Sequence, residues 1–266
     1  MQKSTRLSVE LSGFAKVWKG GYFEGDPLDV LSKSTYDQVG YMSVLHATYL
    51  RCIKPYIKEN TIALEIGPGR GAWTKTLLPA REIYVMDALS AAHNDFYNYI
   101  SDEAKVKYLH VTDFSCVDLP DNYFDYMFSF GTFCHVSSQG IEEYARNLFK
   151  KLKPGANCFW MIGDYNKYNE VVNNYERFNI IVRLLPRRIQ GKSWLGIFMT
   201  RKLFFRHSEL RPRRADLDDT PSPGRWYDAG IARTCEMLIS LGYEVLDTDV
   251  GTCPRDPIIH FQKPKE

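Results

Sequence analysis

Two periods of apolar and polar residues alternate along the middle of the chain. Short apolar runs at Thr61–Ile66, Glu82–Met86, Val106–Val111, Tyr123–Phe130 and Asn157–Ile162 have the length and texture of buried strands. Helical spacing separates several of them, over Gly71–Leu78, Ser90–Ile100 and Ile141–Leu152. Ser90 stands where an N-cap is expected, and Pro154-Gly155 where the third helix must stop. This order predicts an α/β fold with a mostly parallel sheet and helices on both faces.

The flanks read differently. Residues from about Leu7 to Ile57 predict a helical lead-in, with helical spacing clearest in Tyr41–Leu50 and a glycine- and aromatic-rich loop at Trp18–Pro27. From Tyr165 to about Tyr227 helical pieces occur without a clear sheet strand. The alternation resumes with a helix at Ile231–Leu241 and strands at Tyr243–Val250 and Ile258–Gln262, close enough to pair as a hairpin. The expected organisation is therefore an N-terminal helical cover at 1–60, a core from 61–164 and 229–266, and an inserted cap at 165–228. The expected sheet has seven strands in a Rossmann-like three-layer sandwich.

Composition narrows the class. The net charge is +2, which by itself points to no partner. No apolar run approaches the roughly 18–20 residues that span a bilayer. Arg6, Glu10 and Lys16 interrupt the N-terminal apolar residues, so no signal peptide is expected and the reading is cytoplasmic. The six cysteines are scattered without a C-x-x-C pair, which suits reduced, buried thiols and predicts no metal site.

The stretch Leu64-Glu65-Ile66-Gly67-Pro68-Gly69-Arg70-Gly71-Ala72 follows a strand and opens a helix. Glycines there allow a sharp turn and close approach of a ligand to the backbone. Taken alone, the loop fits a dinucleotide fingerprint as well as an E-x-G-x-G-x-G form. Asp87, ending the second strand, suits ribose hydroxyls in either case.

Features further along separate the two. Val111-Thr112-Asp113-Phe114 follows the third strand, and Asp118-Leu119-Pro120 leads through Tyr123-Phe124-Asp125 into the fourth. Phe133-Cys134-His135-Val136 comes next, and Leu152-Lys153-Pro154-Gly155 precedes the fifth. In this order they resemble the class I S-adenosylmethionine-dependent methyltransferases, over about Thr61 to Asp164. The resemblance implies S-adenosyl-L-methionine as cofactor. It places Gly67, Gly69 and Gly71 against the methionine part, with Glu65 favouring its cationic end. Asp87 would hold the ribose, with Ala88 beside it. Asp113 would meet the adenine amino group, with Phe114 along the ring, and Ser129, in the fourth strand, is a further cofactor-site candidate. Trp18 and Tyr22 are candidates to close over the cofactor.

Methyl transfer to a hydroxyl benefits from a general base, and His135, at the carboxyl edge of the sheet, is the candidate. Asp164 and Tyr165 follow the fifth strand toward the same side. Between Arg183 and Arg214 ten basic residues (183, 187, 188, 192, 201, 202, 206, 211, 213 and 214) face a single acid, Glu209, with aromatic residues interleaved. This pattern suits an anionic acceptor such as a nucleotide sugar or lipid-linked glycan, peripheral contact with an anionic membrane, or a solvated basic face. No nucleic-acid-binding module is recognisable, so no nucleic-acid partner is expected. The expected activity is O-methylation of a sugar, glycan precursor or other small anionic acceptor. N-methylation of a small amine and a non-catalytic cofactor-binding subunit are the alternatives.

Overall fold

Seven strands form one sheet in the order β3-β2-β1-β4-β5-β7-β6. They are β1 (Ile62–Ile66), β2 (Glu82–Asp87), β3 (Val106–His110), β4 (Phe124–Ser129), β5 (Leu152–Met161), β6 (Glu244–Asp247) and β7 (Ile258–Gln262). Strands β1 to β5 run parallel, and β7 runs antiparallel between β5 and β6. The computed structural model describes residues 9–10, 15, 18–33, 38–39, 42–100, 103–171, 220 and 225–265. The chain divides into two units, Met1–Asp164 with Asp216–Glu266, and Tyr165–Ala215. In the second unit the described residues, 165–171, are helical, and the basic segment 183–214 lies outside the described residues.

All five positions of β1 are buried, which is why its sequence is a continuous apolar run broken only by Glu65. Leu64, Ile66, Met86 and Met127 pack on one face of the sheet, and Ala63, Val85 and Phe128 on the other. A helix covers the first face: α4 (Ser138–Phe149) buries Ile141, Tyr144, Ala145 and Leu148, a stripe at helical spacing. Helix α5 (Ile231–Ser240) buries Thr234, Cys235 and Leu238 and packs beside α4. The result is the expected Rossmann-like sandwich with its C-terminal antiparallel hairpin. All six cysteines are buried free thiols.

Several boundaries move for local reasons. Of the helix expected over Tyr41–Leu50, the described residues from Met42 onward hold the short α1 (Val44–Thr48), which passes into a π-turn at Tyr49–Ile53. Met42–Ser43 pairs instead with Gln38–Val39, and the Ser43 hydroxyl accepts from the Leu45 amide as the N-cap. Residues 18–33 are turns and extended chain, not helix. Gly71–Leu78 shortens to α2 (Thr74–Leu77), and Ser90–Ile100 to α3 (Phe96–Tyr99). Ser90 does accept from the His93 amide at 3.2 Å, but the turn it starts ends at Asp95, whose φ of 53° interrupts helical propagation.

Leu152-Lys153-Pro154-Gly155 lies inside β5. Pairing with β4 jumps there, from Phe124↔Leu152 to Tyr126↔Asn157. Proline lacks an amide hydrogen, and it sits where the ladder is interrupted. The motif also carries structural bonds. Lys153 Nζ pairs with Asp125 Oδ1 at 2.8 Å, while Asp125 Oδ2 accepts from the Ile62 amide at 2.9 Å, tying β5, β4 and β1 together.

Candidate active site

At the carboxyl ends of β1, β2 and β4 the chain must turn three times, and these turns enclose a cleft. Gly67 and Gly69 form one wall, Asp87, Ala88 and Leu89 a second, and Gly131, Thr132 and His135 a third, with Trp18 and Tyr22 closing the space from the N-terminal segment.

The glycines are required by conformation. Gly67, Gly69 and Gly131 have φ of +74°, +54° and +76°. A Cβ on Gly67 would lie 1.8 Å from Thr132 Oγ1, and one on Gly69 2.7 Å from the Tyr22 carbonyl oxygen. The Tyr22 carbonyl accepts from the Arg70 amide at 3.1 Å, so the N-terminal strap lies directly on the glycine loop. Gly71 does not line the cleft; it faces Ile100 and Phe96, which a Cβ would strike at 2.8 and 3.1 Å. Its role is helix packing.

Asp87 is the polar centre of the second wall. Its Oδ2 accepts from the Gly69 amide at 3.2 Å and its Oδ1 from the Leu89 amide at 2.8 Å. Burial pushes its carboxyl up to about 6, against these hydrogen bonds. A carboxylate has about four lone-pair directions, so two backbone bonds leave capacity for ligand hydroxyls.

The other proposed cofactor residues are placed behind or beside this cleft. Glu65 is buried at 1% exposure, and its Oε2 accepts from Thr74 Oγ1 at 2.6 Å. Ser129, fully buried, donates to the Ile66 carbonyl at 2.9 Å and fastens β4 to β1. Phe114 packs edge-on against Tyr144, which does line the cleft. Asp113 is exposed, accepts from the Ser115 amide at 2.8 Å and lines a neighbouring cavity with His110 and Asp118. Asp164 accepts from the Ile231 amide at 2.8 Å and so caps α5. Tyr165 belongs to the second unit.

One lining residue carries no signal in the sequence. Asn94 is fully buried and donates from Nδ2 to Tyr108 Oη at 2.9 Å. Tyr108 gives its own proton to the Leu89 carbonyl at 2.7 Å, so its oxygen can only accept from Asn94. That fixes the amide orientation and leaves Asn94 Oδ1 without a hydrogen-bond partner. Only the folded β2–α3 turn brings it beside Asp87.

His135 ends a 3₁₀ turn, Phe133–His135. Its Nδ1 lies 3.0 Å from the Arg225 carbonyl, which can only accept, so Nδ1 carries the hydrogen and Nε2 is the basic nitrogen of the neutral ring. Trp18 meets the ring edge-on at 5.9 Å. Burial holds the imidazole below its usual 6.5, and Arg255 adds to this.

The fit to the implied cofactor can be judged from these groups. The acceptors at Asp87 suit a ribose, and the apolar walls of Ile66, Met86, Leu89 and Val136 suit an adenine ring. The residues fit S-adenosyl-L-methionine. Among the described residues no helix is long and apolar enough to cross a membrane.

Comparison with known proteins agrees with this geometry. Residues 63–155 match the model of a methyltransferase domain. A Listeria monocytogenes protein assigned to the S-adenosylmethionine-dependent methyltransferases shares the fold, with 11% identity, a TM-score of 0.50, and coverage of 84% of this chain and 98% of that one. A methyltransferase from Methanosarcina mazei gives 17%, 0.49, 80% and 97%, in the same order. The N-methyltransferase NodS from Bradyrhizobium japonicum gives 14%, 0.49, 83% and 94%. No curated protein matches the sequence.

Proposed function

We propose that this chain, which carries a class I, Rossmann-like S-adenosyl-L-methionine-dependent methyltransferase domain, methylates a hydroxyl of a sugar, glycan precursor or other small anionic acceptor, with His135 as general base. The observation that carries the reading is the state of His135. Burial keeps its ring neutral, the Arg225 carbonyl fixes the tautomer, and the ring shares a cleft with Gly67 and Asp87.

The cofactor, when bound, supplies an activated methyl group on a sulfonium sulfur. Gly67 and Gly69 allow the backbone to approach its methionine part, and Glu65 lies beneath that turn. Asp87 and Ala88 receive the ribose. Ile66, Met86, Leu89 and Val136 form the adenine side, with Phe114 behind Tyr144, while Gly71 and Ser129 hold the loop and β4 in place. Trp18 and Tyr22 keep water from the reacting atoms. Orientation of this kind supplies several kcal/mol, about 7–11 in favourable model reactions. His135 Nε2 would take the proton that the acceptor hydroxyl gives up. The ten basic residues between Arg183 and Arg214 supply the affinity for an anionic acceptor.

The test is His135→Ala. With a hydroxyl acceptor, kcat falls by roughly 10²–10⁴-fold while S-adenosylhomocysteine affinity holds. The acid limb of the wild-type pH profile lies below 6.5 and disappears in the variant. A folded variant of normal activity removes His135 from the chemistry. Turnover confined to amine acceptors replaces O-methylation with N-methylation.

A further inference from the structure

Asn94 lies in the turn between β2 and α3, where its backbone is held from two sides. Its amide donates to the Ser90 carbonyl at 3.0 Å. Gly21 of the N-terminal strap rests on it, so closely that a Cβ on Gly21 would come within 2.5 Å of the Asn94 carbonyl oxygen. The side chain is thereby sealed from water, in the same cleft wall as Asp87.

Both side-chain hydrogens of Asn94 are used. One goes to Tyr108 Oη, with Nδ2 at 2.9 Å from that oxygen. The other serves the Asp87 carboxyl, where the amide favours the ionised form against the effect of burial. The bonds close into a ring. Asp87 Oδ1 accepts from the Leu89 amide, the Leu89 carbonyl accepts from Tyr108, Tyr108 accepts from Asn94, and Asn94 returns to Asp87. Asn94 Oδ1, by contrast, has no hydrogen-bond partner among the described residues. A buried acceptor left unpaired costs stability, so stability alone would favour an apolar side chain of that size. What asparagine adds is its two donors.

We propose that Asn94 is a positioning residue, which holds the Asp87 carboxylate in the cleft wall as an acceptor for a ligand hydroxyl and so sets the site's preference for a ligand that carries one. The inference rests on the cofactor reading above. The Gly69 and Leu89 amides grip Asp87 from the backbone, at one oxygen each. Asn94 grips it from a side chain, in a pocket that the strap keeps dry, where such a network is strengthened by the low local dielectric.

Calorimetry with S-adenosylhomocysteine and with its 2′,3′-dideoxy analogue tests this on the intact chain. Wild type should prefer S-adenosylhomocysteine. Asn94→Leu keeps the approximate size of the side chain and removes both donors. It should bind S-adenosylhomocysteine roughly 10-fold more weakly, as when one hydrogen bond to a charged group is lost. The dideoxy analogue presents no hydroxyl to Asp87, and its affinity should be nearly the same in both proteins. Tyr108→Phe keeps the ring against Phe96 but removes the oxygen that orients the amide. It should show the same selective loss to a smaller degree, and it decides the matter if Asn94→Leu does not fold. A merely structural role for Asn94 predicts equal weakening of both ligands. That result overturns the inference, as does unchanged S-adenosylhomocysteine affinity in the variants or equal affinity of the wild type for the two ligands. Failure of the wild type to bind S-adenosylhomocysteine at all overturns the cofactor reading itself, a distinguishable result.

Discussion

A buried carboxyl that keeps its proton leaves a mark on stability, and Glu65→Gln exposes it. Burial pushes the Glu65 carboxyl from its usual 4.5 up to about 8 in the folded protein. Between those values the folded state holds a proton that the unfolded chain has lost. The stabilisation from this difference is fully present below pH 4.5 and is lost as pH rises through 8. At 1.36 kcal/mol per pH unit, the window corresponds to about 5 kcal/mol, an order-of-magnitude figure for a fully buried group. Glutamine keeps an oxygen for the Thr74 hydroxyl and cannot ionise. Asp87 contributes a similar but smaller loss up to about pH 6, common to both proteins, so the difference between them isolates Glu65. Urea unfolding of wild type and variant at several pH values from 5 to 8.5 measures that difference. The variant should gain on the wild type steadily as pH rises, by several kcal/mol across the range. Parallel curves would refute the reasoning, because they would mean that Glu65 ionises equally in both states.

Asp87→Ala removes two backbone-bonded oxygens from the cleft wall and should weaken S-adenosylhomocysteine binding by roughly 1.5–3 kcal/mol, read by calorimetry or by loss of the ligand-induced rise in Tm. Gly69→Ala forces a side chain into φ +54° and 2.7 Å from the Tyr22 carbonyl; it should cost at least about 1–2 kcal/mol and lower Tm, whereas an unchanged Tm would mean that the strap does not lie on the loop. Arg187→Glu with Arg188→Glu should raise the acceptor's KM and leave cofactor affinity nearly unchanged; unaltered acceptor kinetics would make these arginines a solvated face.

The order of strands and helices was legible in the sequence because burial on both faces of a parallel sheet leaves continuous apolar runs that no loop imitates. Thr61–Ile66 could be bounded to within a residue for that reason. The glycine turn was legible as well, since three positive φ angles in close succession require glycine. Helix boundaries were less so. A periodic pattern over Ser90–Ile100 does not reveal that Asp95 enters the left-handed region, and Leu152-Lys153-Pro154-Gly155 reads as a stop although it lies within a strand. Within the candidate site, the residue types of Gly67, Asp87 and His135 announced themselves. Which neighbour each one faces was decided only by packing. Gly71 and Ser129 belong to the same motifs as the cleft residues but contact Ile100 and the Ile66 carbonyl. Asn94, without a motif, is drawn to the cleft wall by a hydrogen-bond chain through Tyr108 to Leu89. The proton on Glu65 likewise follows from its surroundings: a strand acid titrates according to its burial and to the groups beside it, here Thr74 and Asp87, and only the folded sheet assembles them.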